Sequence, residues 1–416
     1  MKHLFAAFLL LVAAPLSAQV VAIRAGAVID PAHGTSAKNQ VILVENGKIT
    51  AIGAGLAIPS GAQVVDLSKQ WVTPGLIDAH THMTLTELQN VPFETFYLNE
   101  STTFRGLRGL HNVMQALQQG FTAIRDVGNS AEYAMSDVRR AIDAGWFPGP
   151  TIIDSGKIIA PFGGQSSGIP ARQGPIWQYE YIDADGPAEV RKAVRTNIYY
   201  GAGVIKLVSD NSAYHYSVEE ISAAVDEAHR AGLPVAVHVY NSSEAADNAI
   251  AAGVDSIEHG FRLTDAQLKR MKEKGIFLVG TDVPRAQLDI YGESDGLPPP
   301  AVLAPMIIDR LKRAHQIGVR MAFGTDTTID VPGRTRADLM LDYLAVWRAA
   351  GIPPADILRA MTVDAAELLR INKARGNIAV GLSADLVAMP ANPLDDIENL
   401  RQIDFVMKDG HIVRHP

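Results

Sequence analysis

The chain contains no cysteine among its 416 residues. Disulfide bonds, thiolate metal ligands and cysteine nucleophiles are therefore excluded, and a bound metal must be held by histidine, carboxylate or a rarer donor. Positive charge is also scarce, because 37 basic residues stand against 45 acidic ones and give a formal net charge of −8. Such a chain lacks the basic surface that nucleic-acid binding requires, so nucleic acid is not an expected partner.

Long apolar runs are missing beyond the N-terminus. Residues 4–14 form an apolar stretch that follows a short basic start, and Pro15-Leu16-Ser17-Ala18 comes after it, with Leu16 in place of the usual small residue. This pattern is typical of a secretory signal peptide over residues 1–18, and the stretch is too short to span a bilayer comfortably. We expect cleavage after Ala18 and a periplasmic or secreted protein with no membrane attachment afterwards.

Strand-like segments occur near both ends of the chain. Residues 20–73 contain several short β-branched and apolar runs, separated by turn signals such as Asn46-Gly47. Residues 385–413 return to the same pattern. We expect the two ends to form one composite β-sandwich domain over residues 19–74 and 378–416.

Between these ends, over residues 75–377, strand-like runs alternate with helical periodicity, which indicates a parallel sheet. The predicted strands are residues 74–82, 121–126, 151–154, 203–208, 234–239, 254–259, 276–280 and 319–326. Predicted helices between the later strands are residues 188–200, 218–231, 243–252, 265–274 and 302–317. The fold class is therefore α/β, a (β/α)8 TIM-like barrel whose chemistry is expected at the C-terminal ends of its strands.

Polar residues end several of these apolar strands: His80, His82, Lys206, His238, His259 and Asp326. On a strand, residues two apart share a face, so His80 and His82 can hold one ion together. Asp78 lies on the same face and is expected to orient one imidazole. Each residue alone can be a hydrogen-bonded core histidine, a paired lysine or a turn aspartate. Together, at the ends of five of the eight predicted strands, they favour a metal site.

These motifs resemble those of the metal-dependent amidohydrolase superfamily. The residues that carry the resemblance are Pro74 to His82, Ile257-Glu258-His259-Gly260, Gly324-Thr325-Asp326 and Gly381 to Val387. The sequence is most similar to the imidazolonepropionase-like and Xaa-Pro dipeptidase-like branch, which includes bacterial ochratoxin-hydrolysing amidohydrolases. Members of the superfamily are often oligomeric, so the resemblance also implies a homo-oligomer.

The resemblance implies two divalent metal ions, with zinc the first choice and manganese, cobalt or iron compatible with the same donors. His80, His82 and Asp326 would hold one ion, and His238 and His259 the other. Lys206 would bridge both as N6-carboxylysine. A buried amine near two dications has a lowered pKa, and its neutral form can add carbon dioxide.

The implied reaction is hydrolysis of a carbon–nitrogen bond in a small-molecule amide by metal-activated water, with Asp326 as the catalytic proton carrier. Dipeptides or N-acyl amino acids with a free carboxylate are the expected substrates, in a carboxypeptidase- or prolidase-like reaction that extends to aromatic amides such as ochratoxin A. Alternatives are hydrolysis of a cyclic, imidazolone-type amide, of a lactone or of a phosphotriester. From another class, an exported solute-binding receptor has a comparable length.

Substrate specificity is expected from the loops at the strand ends rather than from the metal ligands. Dipeptidase-like relatives carry Gly-Gly-His after the third strand, and this chain has Gly163-Gly164-Gln165 instead. This chain therefore lacks the imidazole that helps those relatives to bind substrate. Their substrate cannot be assigned to this chain directly. The candidate substrate-binding residues are Gln165, Tyr214, Tyr216, Tyr240 and Arg125.

Overall fold

The computed structural model describes residues 20–87, 91, 95–166, 169–210, 214–292 and 297–415. The predicted signal peptide over residues 1–18 lies outside this range, so its cleavage stays a prediction. In the part of the chain that is described, no helix has both the length and the apolar character needed to cross a bilayer.

The strands of the described residues are β1 (Val21–Asp30), β2 (Thr35–Glu45), β3 (Lys48–Ala54), β4 (Gln63–Pro74), β5 (Leu76–Thr81), β6 (Phe121–Asp126), β7 (Thr151–Asp154), β8 (Ile158–Ala160), β9 (Tyr181–Asp183), β10 (Ile205–Val208), β11 (Val235–Val239), β12 (Ser256–His259), β13 (Phe277–Val279), β14 (Leu386–Met389), β15 (Phe405–Lys408) and β16 (His411–Arg414). The α-helices are α1 (Thr95–Asn99), α2 (Thr102–Gln118), α3 (Ala134–Asp143), α4 (Pro187–Tyr199), α5 (Val218–Arg230), α6 (Ser243–Ala252), α7 (Asp265–Lys274), α8 (Arg285–Tyr291), α9 (Pro300–Ile317), α10 (Arg336–Leu341), α11 (Leu344–Ala349), α12 (Pro354–Ala360) and α13 (Val363–Leu368). Short 3-10 helices cover Ala171–Gln173, Ile176–Tyr179 and Ile397–Gln402.

Both ends of the chain contribute to one seven-stranded mixed sheet with the order β16-β15-β14-β4-β1-β2-β3. The C-terminal strand β14 pairs antiparallel with β4, and β1 pairs in parallel with β4. Ile23, Val65 and Phe405 belong to a buried apolar cluster that this sheet encloses separately from the barrel core. The predicted smaller β unit built from both chain ends is confirmed.

The barrel wall consists of two parallel runs of strands, β5-β6-β7 and β13-β12-β11-β10-β8-β9. The third barrel strand is divided into two pieces, β7, which ends at Asp154, and β8. The first piece pairs with β6, and the second pairs with β10. Gly156, in the connection between them, has a φ of 67°, a backbone conformation that glycine adopts without steric cost. The third strand therefore changes neighbours where the chain bends, which the apolar pattern alone did not reveal.

Residues 320–326 close the barrel between β13 and β5. The N–H of Leu278 donates to the carbonyl of Arg320 over 2.9 Å, and the N–H of Ala79 donates to the carbonyl of Phe323 over 2.8 Å. The predicted eighth strand is thus present as a segment whose backbone hydrogen bonds to β13 and β5 are interrupted rather than continuous. A Cβ atom on Gly324 would lie 2.8 Å from Cβ of His80, so only glycine permits this close approach.

Local signals explain why the helices begin and end where they do. Ser217 caps α5, because its hydroxyl accepts from the N–H of Glu220 while the Glu220 carboxylate accepts from the N–H of Ser217. Helices α6, α7 and α9 end at Gly253, Gly275 and Gly318, each with left-handed backbone. Glycine ends these helices because it adopts the left-handed backbone without steric cost.

Candidate metal centre and active site

Two histidines occupy the C-terminal end of the first barrel strand. The Nε2 atoms of His80 and His82 lie 3.6 Å and 3.3 Å from Oδ1 of Asp326, at the end of the closing segment. Ligand atoms of these three residues all lie within 4.8 Å of one another. The structure therefore brings together residues from opposite ends of the barrel sequence in a group able to hold one ion.

The Nε2 atom of His80 is buried and has no hydrogen-bond partner among the described residues. Leaving such a polar atom unsatisfied costs about 1–3 kcal/mol. The nearest carboxylate oxygen, Oδ1 of Asp326, is 3.6 Å away and lies beyond hydrogen-bond distance. A divalent cation between the imidazoles and the carboxylate satisfies all of them, and these donors fit a metal such as zinc.

The second pair of predicted ligands, His238 and His259, faces the first from β11 and β12. Their ring centroids are 4.4 Å apart, and the ring of His259 lies 5.0 Å from that of His80. Nδ1 of His259 is 2.7 Å from the hydroxyl of Thr281 and 3.7 Å from Oδ2 of Asp326. The four predicted histidines thus form one cluster.

Lys206 is buried on β10 beside this cluster. Burial lowers the pKa of its amine from 10.5 to about 8, so part of the population carries a neutral amine near neutral pH. Burial is the main cause that lowers the pKa of His82 to about 3, and the charge of Lys206 is the second. The same two causes lower the pKa values of His80 and His238. Burial and neighbouring positive charges also lower the pKa of His259. All four imidazoles are therefore neutral, which is the form that binds metals.

Three non-glycine residues at this end of the barrel have left-handed backbone. His259, Thr281 and Asp326 have φ values of 65°, 44° and 57°. Sparsely populated backbone conformations of non-glycine residues cost on the order of 1–3 kcal/mol each and persist where surrounding contacts fix them. One such contact is the N–H of Asp326, which donates to the carbonyl of His80 over 2.8 Å. The three strained residues beside the histidine cluster support a functional site.

Asp78 joins the first strand of the barrel to the closing segment. Its Oδ1 accepts from the N–H groups of His80 and Thr325 over 3.0 Å and 3.1 Å, and its Oδ2 accepts from the Thr325 hydroxyl over 2.7 Å. The expectation that Asp78 orients an imidazole is wrong, because its carboxylate binds two backbone N–H groups and the Thr325 hydroxyl rather than a ring. Burial raises the pKa of Asp78 to about 7 despite these donors.

The ring of His80 is instead held by Glu258, to which the sequence pattern assigned no role. Nδ1 of His80 lies 2.7 Å from Oε2 of Glu258. Arg125 donates through Nη2 to both carboxylate oxygens, over 2.8 Å and 2.9 Å. Arg125 is fully buried, so the structure gives it this internal pairing rather than the expected contact with substrate. A carboxylate directly before the predicted ligand His259, inside a predicted barrel strand, was the available signal for Glu258.

Gln165 and Tyr240 are the two predicted substrate-binding residues that the structure places at the histidine cluster. Nε2 of Gln165 lies 3.4 Å from Nε2 of His238, and its Oε1 accepts from the hydroxyl of Tyr181 over 2.9 Å. The ring of Tyr240 lies 4.1 Å from that of His238 and 4.5 Å from that of His259. Both side chains can therefore contact a substrate that reaches the metal site.

Tyr214 and Tyr216 lie elsewhere. Tyr216 is fully buried in the main core, and its hydroxyl donates to the carbonyl of Ala184 over 2.7 Å, which corrects its expected role as a substrate contact. Tyr214 is 56% exposed and lines an outer cavity of about 560 Å³ with residues such as Glu244 and Asn248. None of the residues that line this cavity belongs to the predicted ligand set.

Glu87 adds an acid at the mouth that had no predicted role. Its N–H donates to the carbonyl of Thr328 over 2.9 Å, which ties the loop after β5 to the loop after the closing segment. Burial raises the pKa of Glu87, and its charge contributes to the raised pKa values of Asp326 and Tyr240. The Glu87 carboxyl therefore lies close enough to both side chains to influence their pKa values.

A barrel that gathers four neutral histidines, a buried lysine and an aspartate at the C-terminal ends of its strands defines a metal-dependent hydrolase. Residues 71–413 match the Amidohydrolase family, and the chain belongs to this family. The resemblance and the fold class predicted from the sequence are confirmed.

Known proteins similar to the chain over most of its length include several amide hydrolases. Ochratoxinase of Aspergillus niger is 30% identical over 454 residues, covering 98% of this chain and 89% of the relative. Imidazolonepropionase of Geobacillus sp. (strain WCH70) is 22% identical over 427 residues and covers 90% of both chains. A crystal structure of a Xaa-Pro dipeptidase with methionine bound in its active site superposes with a TM-score of 0.84 at 28% identity, covering 95% of this chain and 100% of that one. The protein is a hydrolase that acts on amide bonds.

Proposed function

We propose that the protein is a binuclear metal-dependent hydrolase that releases an amino acid from dipeptides or N-acyl amino acids with a free carboxylate. The observation that carries this proposal is the buried, unpartnered Nε2 atom of His80 within a cluster of neutral imidazoles. His80, His82 and Asp326 would hold one ion, and His238 and His259 the other. Zinc suits this set of nitrogen and oxygen donors.

Lys206 would join the two ions as N6-carboxylysine. Its lowered pKa supports this modification, because the neutral amine adds carbon dioxide whereas the ammonium does not. Asp326 is the single carboxylate among the six proposed ligands, so two dications would otherwise be poorly neutralised in a buried site. A carbamate on Lys206 supplies the second negative charge.

Bound metal would supply an activated water and polarise the scissile carbonyl. The chain's own proton carrier is Asp326, which would accept a proton from this water and return it to the leaving amine. Burial raises the pKa of Asp326, and the charge of Lys206 opposes this shift. A raised pKa suits a carboxylate that must first accept a proton and then donate it.

Three side chains near the metal site support amino-acid-type substrates. The amide of Gln165 and the ring of Tyr240 flank His238, where they can contact the carboxylate or the acyl group of a substrate. An ionised Glu87 would suit the free amine of a dipeptide, because pairing with a cation opposes the burial that raises the pKa of Glu87. The similarity to a Xaa-Pro dipeptidase with bound methionine supports an amino acid product, and that to ochratoxinase supports aromatic amides such as ochratoxin A.

A substrate screen of the zinc-loaded protein tests this function. We expect hydrolysis of dipeptides and N-acyl amino acids with a free carboxylate, and at least about 10-fold lower kcat/KM for the same compounds with a C-terminal amide, because a lost charged contact costs about 1.5–3 kcal/mol. Amino acid release would be measured by chromatography. Equal rates on free-acid and amidated members of each pair would contradict recognition of the carboxylate, while leaving amide hydrolysis in place.

A second candidate function is hydrolysis of a cyclic amide, which the similarity to imidazolonepropionase favours. The metal centre and Asp326 would act as above, but the leaving amine would stay attached to the product by the opened ring. The same screen separates the two functions when it includes imidazolones and cyclic imides. A ring-opened product, with no release of amino acid from linear amides, would select this second function.

We extend the proposal to the location and assembly of the protein. Export to the periplasm or the medium rests on the N-terminal apolar stretch, and the mature chain would then begin at Gln19. Scavenging of small amides outside the cytoplasm agrees with the proposed reaction. Assembly as a homo-oligomer rests on the family resemblance.

A further inference from the structure

Four fully buried side chains form a connected group of hydrogen bonds behind the proposed metal centre: His80, Arg125, Ser256 and Glu258. Beyond the contacts of Glu258 with His80 and Arg125, the Ser256 hydroxyl donates to Oε1 of Glu258. Nη1 of Arg125 lies 3.2 Å from the Ser256 hydroxyl, and its Nε donates to the carbonyl of Ala79. We name these residues the Glu258 cluster.

The Glu258 cluster determines which nitrogen of His80 carries the proton. A neutral imidazole has one N–H, and a carboxylate bound by a guanidinium through both oxygens is an acceptor alone. Nδ1 of His80 must therefore donate to Glu258, which leaves the lone pair on Nε2. That atom is the buried nitrogen without a partner, and it lies 3.6 Å from Oδ1 of Asp326.

Arg125 also fixes the position of the imidazole. Its guanidinium binds the carbonyl of Ala79, the residue before His80, and at the same time the carboxylate that contacts the His80 ring. The Arg125 guanidinium thus fixes both the backbone next to His80 and, through Glu258, the His80 ring. A side chain restrained at both ends loses little further freedom when its Nε2 binds a ligand.

We propose that Glu258, held by Arg125 and Ser256, is a positioning residue that presents the Nε2 lone pair of His80 to a divalent cation and thereby sets the affinity of this site for metal. This inference rests on the metal centre of the proposed function. It assigns a role to three residues that do not themselves bind the ion.

A second buried group provides a matched control. Asp154 accepts from Nε of Arg139 over 2.6 Å and from the hydroxyl of Ser136, so it has the same kinds of partners as Glu258. Asp154 is likewise buried at a strand end, but its side-chain partners lie on α3, and none of its hydrogen bonds or ion pairs among the described residues involves a proposed metal ligand. A purely structural role predicts similar consequences for the loss of either carboxylate.

The experiment compares Glu258→Gln, Ser256→Ala and Asp154→Asn with the natural sequence. Metal is removed by chelation, and the Zn²⁺ dissociation constant is measured by competition with a chromophoric chelator. We expect about 10–100-fold weaker binding for Glu258→Gln, a smaller loss for Ser256→Ala and an unchanged constant for Asp154→Asn. The visible spectrum of Co²⁺-substituted protein should change for the first two variants only.

Each outcome separates this inference from the proposed function. If the natural sequence binds no zinc, the metal centre itself is refuted. If it binds zinc and Glu258→Gln binds equally tightly with the same Co²⁺ spectrum, the positioning role is refuted while the metal centre stands. Should Glu258→Gln fail to fold, Ser256→Ala decides, because it keeps both charged groups; an unchanged constant for that variant would overturn the proposal.

Discussion

Lys206→Met is expected to reduce kcat/KM by about 10³-fold or more and to lower the metal content of the purified protein. Methionine replaces most of the apolar stem of lysine but cannot form a carbamate, so the proposed bridge between the two ions is lost. Stabilisation of the developing charge by metal is worth several kcal/mol, and each 1.36 kcal/mol corresponds to a factor of ten in rate. Metal analysis and steady-state kinetics on the same preparation measure both effects.

Lys408→Met is the control for this substitution. Lys408 is also a mostly buried lysine, but it lies on β15 of the seven-stranded sheet, with its Nζ 3.4 Å from Oδ1 of Asp385. Its loss should leave kcat/KM and metal content unchanged in the folded protein. If Lys206→Met retained full activity and full metal content, the carbamate bridge would be wrong.

Asp326→Asn is expected to keep the fold and bound metal while lowering kcat by about 10²–10⁴-fold, the usual contribution of a positioned general base. The carboxamide oxygen of asparagine can still bind the metal, but the side chain cannot accept the proton. It also tolerates the left-handed backbone of position 326, which has a φ of 57°. Asparagine is therefore a cleaner test than alanine, since alanine would add backbone strain. Steady-state kinetics with metal analysis of the same sample measures the effect.

The matched control is Asp330→Asn on the same loop. Asp330 accepts from Thr86 and from Nη2 of Arg336, and its side chain is 55% exposed. Removing this charge should change kcat by less than about threefold, since substitutions of exposed residues shift energies by about 0.5 kcal/mol. If Asp326→Asn carried its full metal content and kept the natural kcat, the role of Asp326 as proton carrier would be refuted.

The barrel was predictable because its strands and helices carry strong local signals. Helix α6 was predicted and observed over the same residues, 243–252, because Ser242 caps its start and Gly253 ends it. The break in the third strand near Gly156 and the interrupted ladder at Gly324 were not predictable. Both depend on which neighbouring strand meets the chain at that point, and a run of apolar residues does not contain this information.

The six proposed ligands were predictable for a geometrical reason, since the C-terminal ends of parallel barrel strands converge on one face. The partners behind them were not. Arg125 was expected to contact substrate, and it pairs with Glu258, which lies 133 positions away along the chain. Tyr216 follows the Lys206 strand closely, yet its hydroxyl turns into the core to reach Ala184. Pairings of this kind are decided by packing rather than by local sequence.

The central claim is that side chains from five strands meet around two cations, and metal analysis of the purified protein tests it most directly. Inductively coupled plasma mass spectrometry, on protein expressed with zinc and bicarbonate, should find about two equivalents of divalent metal per chain. Exhaustive chelation should remove both the metal and the activity, and added zinc should restore them. Full amide hydrolysis by a chain that retains no metal would contradict the claim.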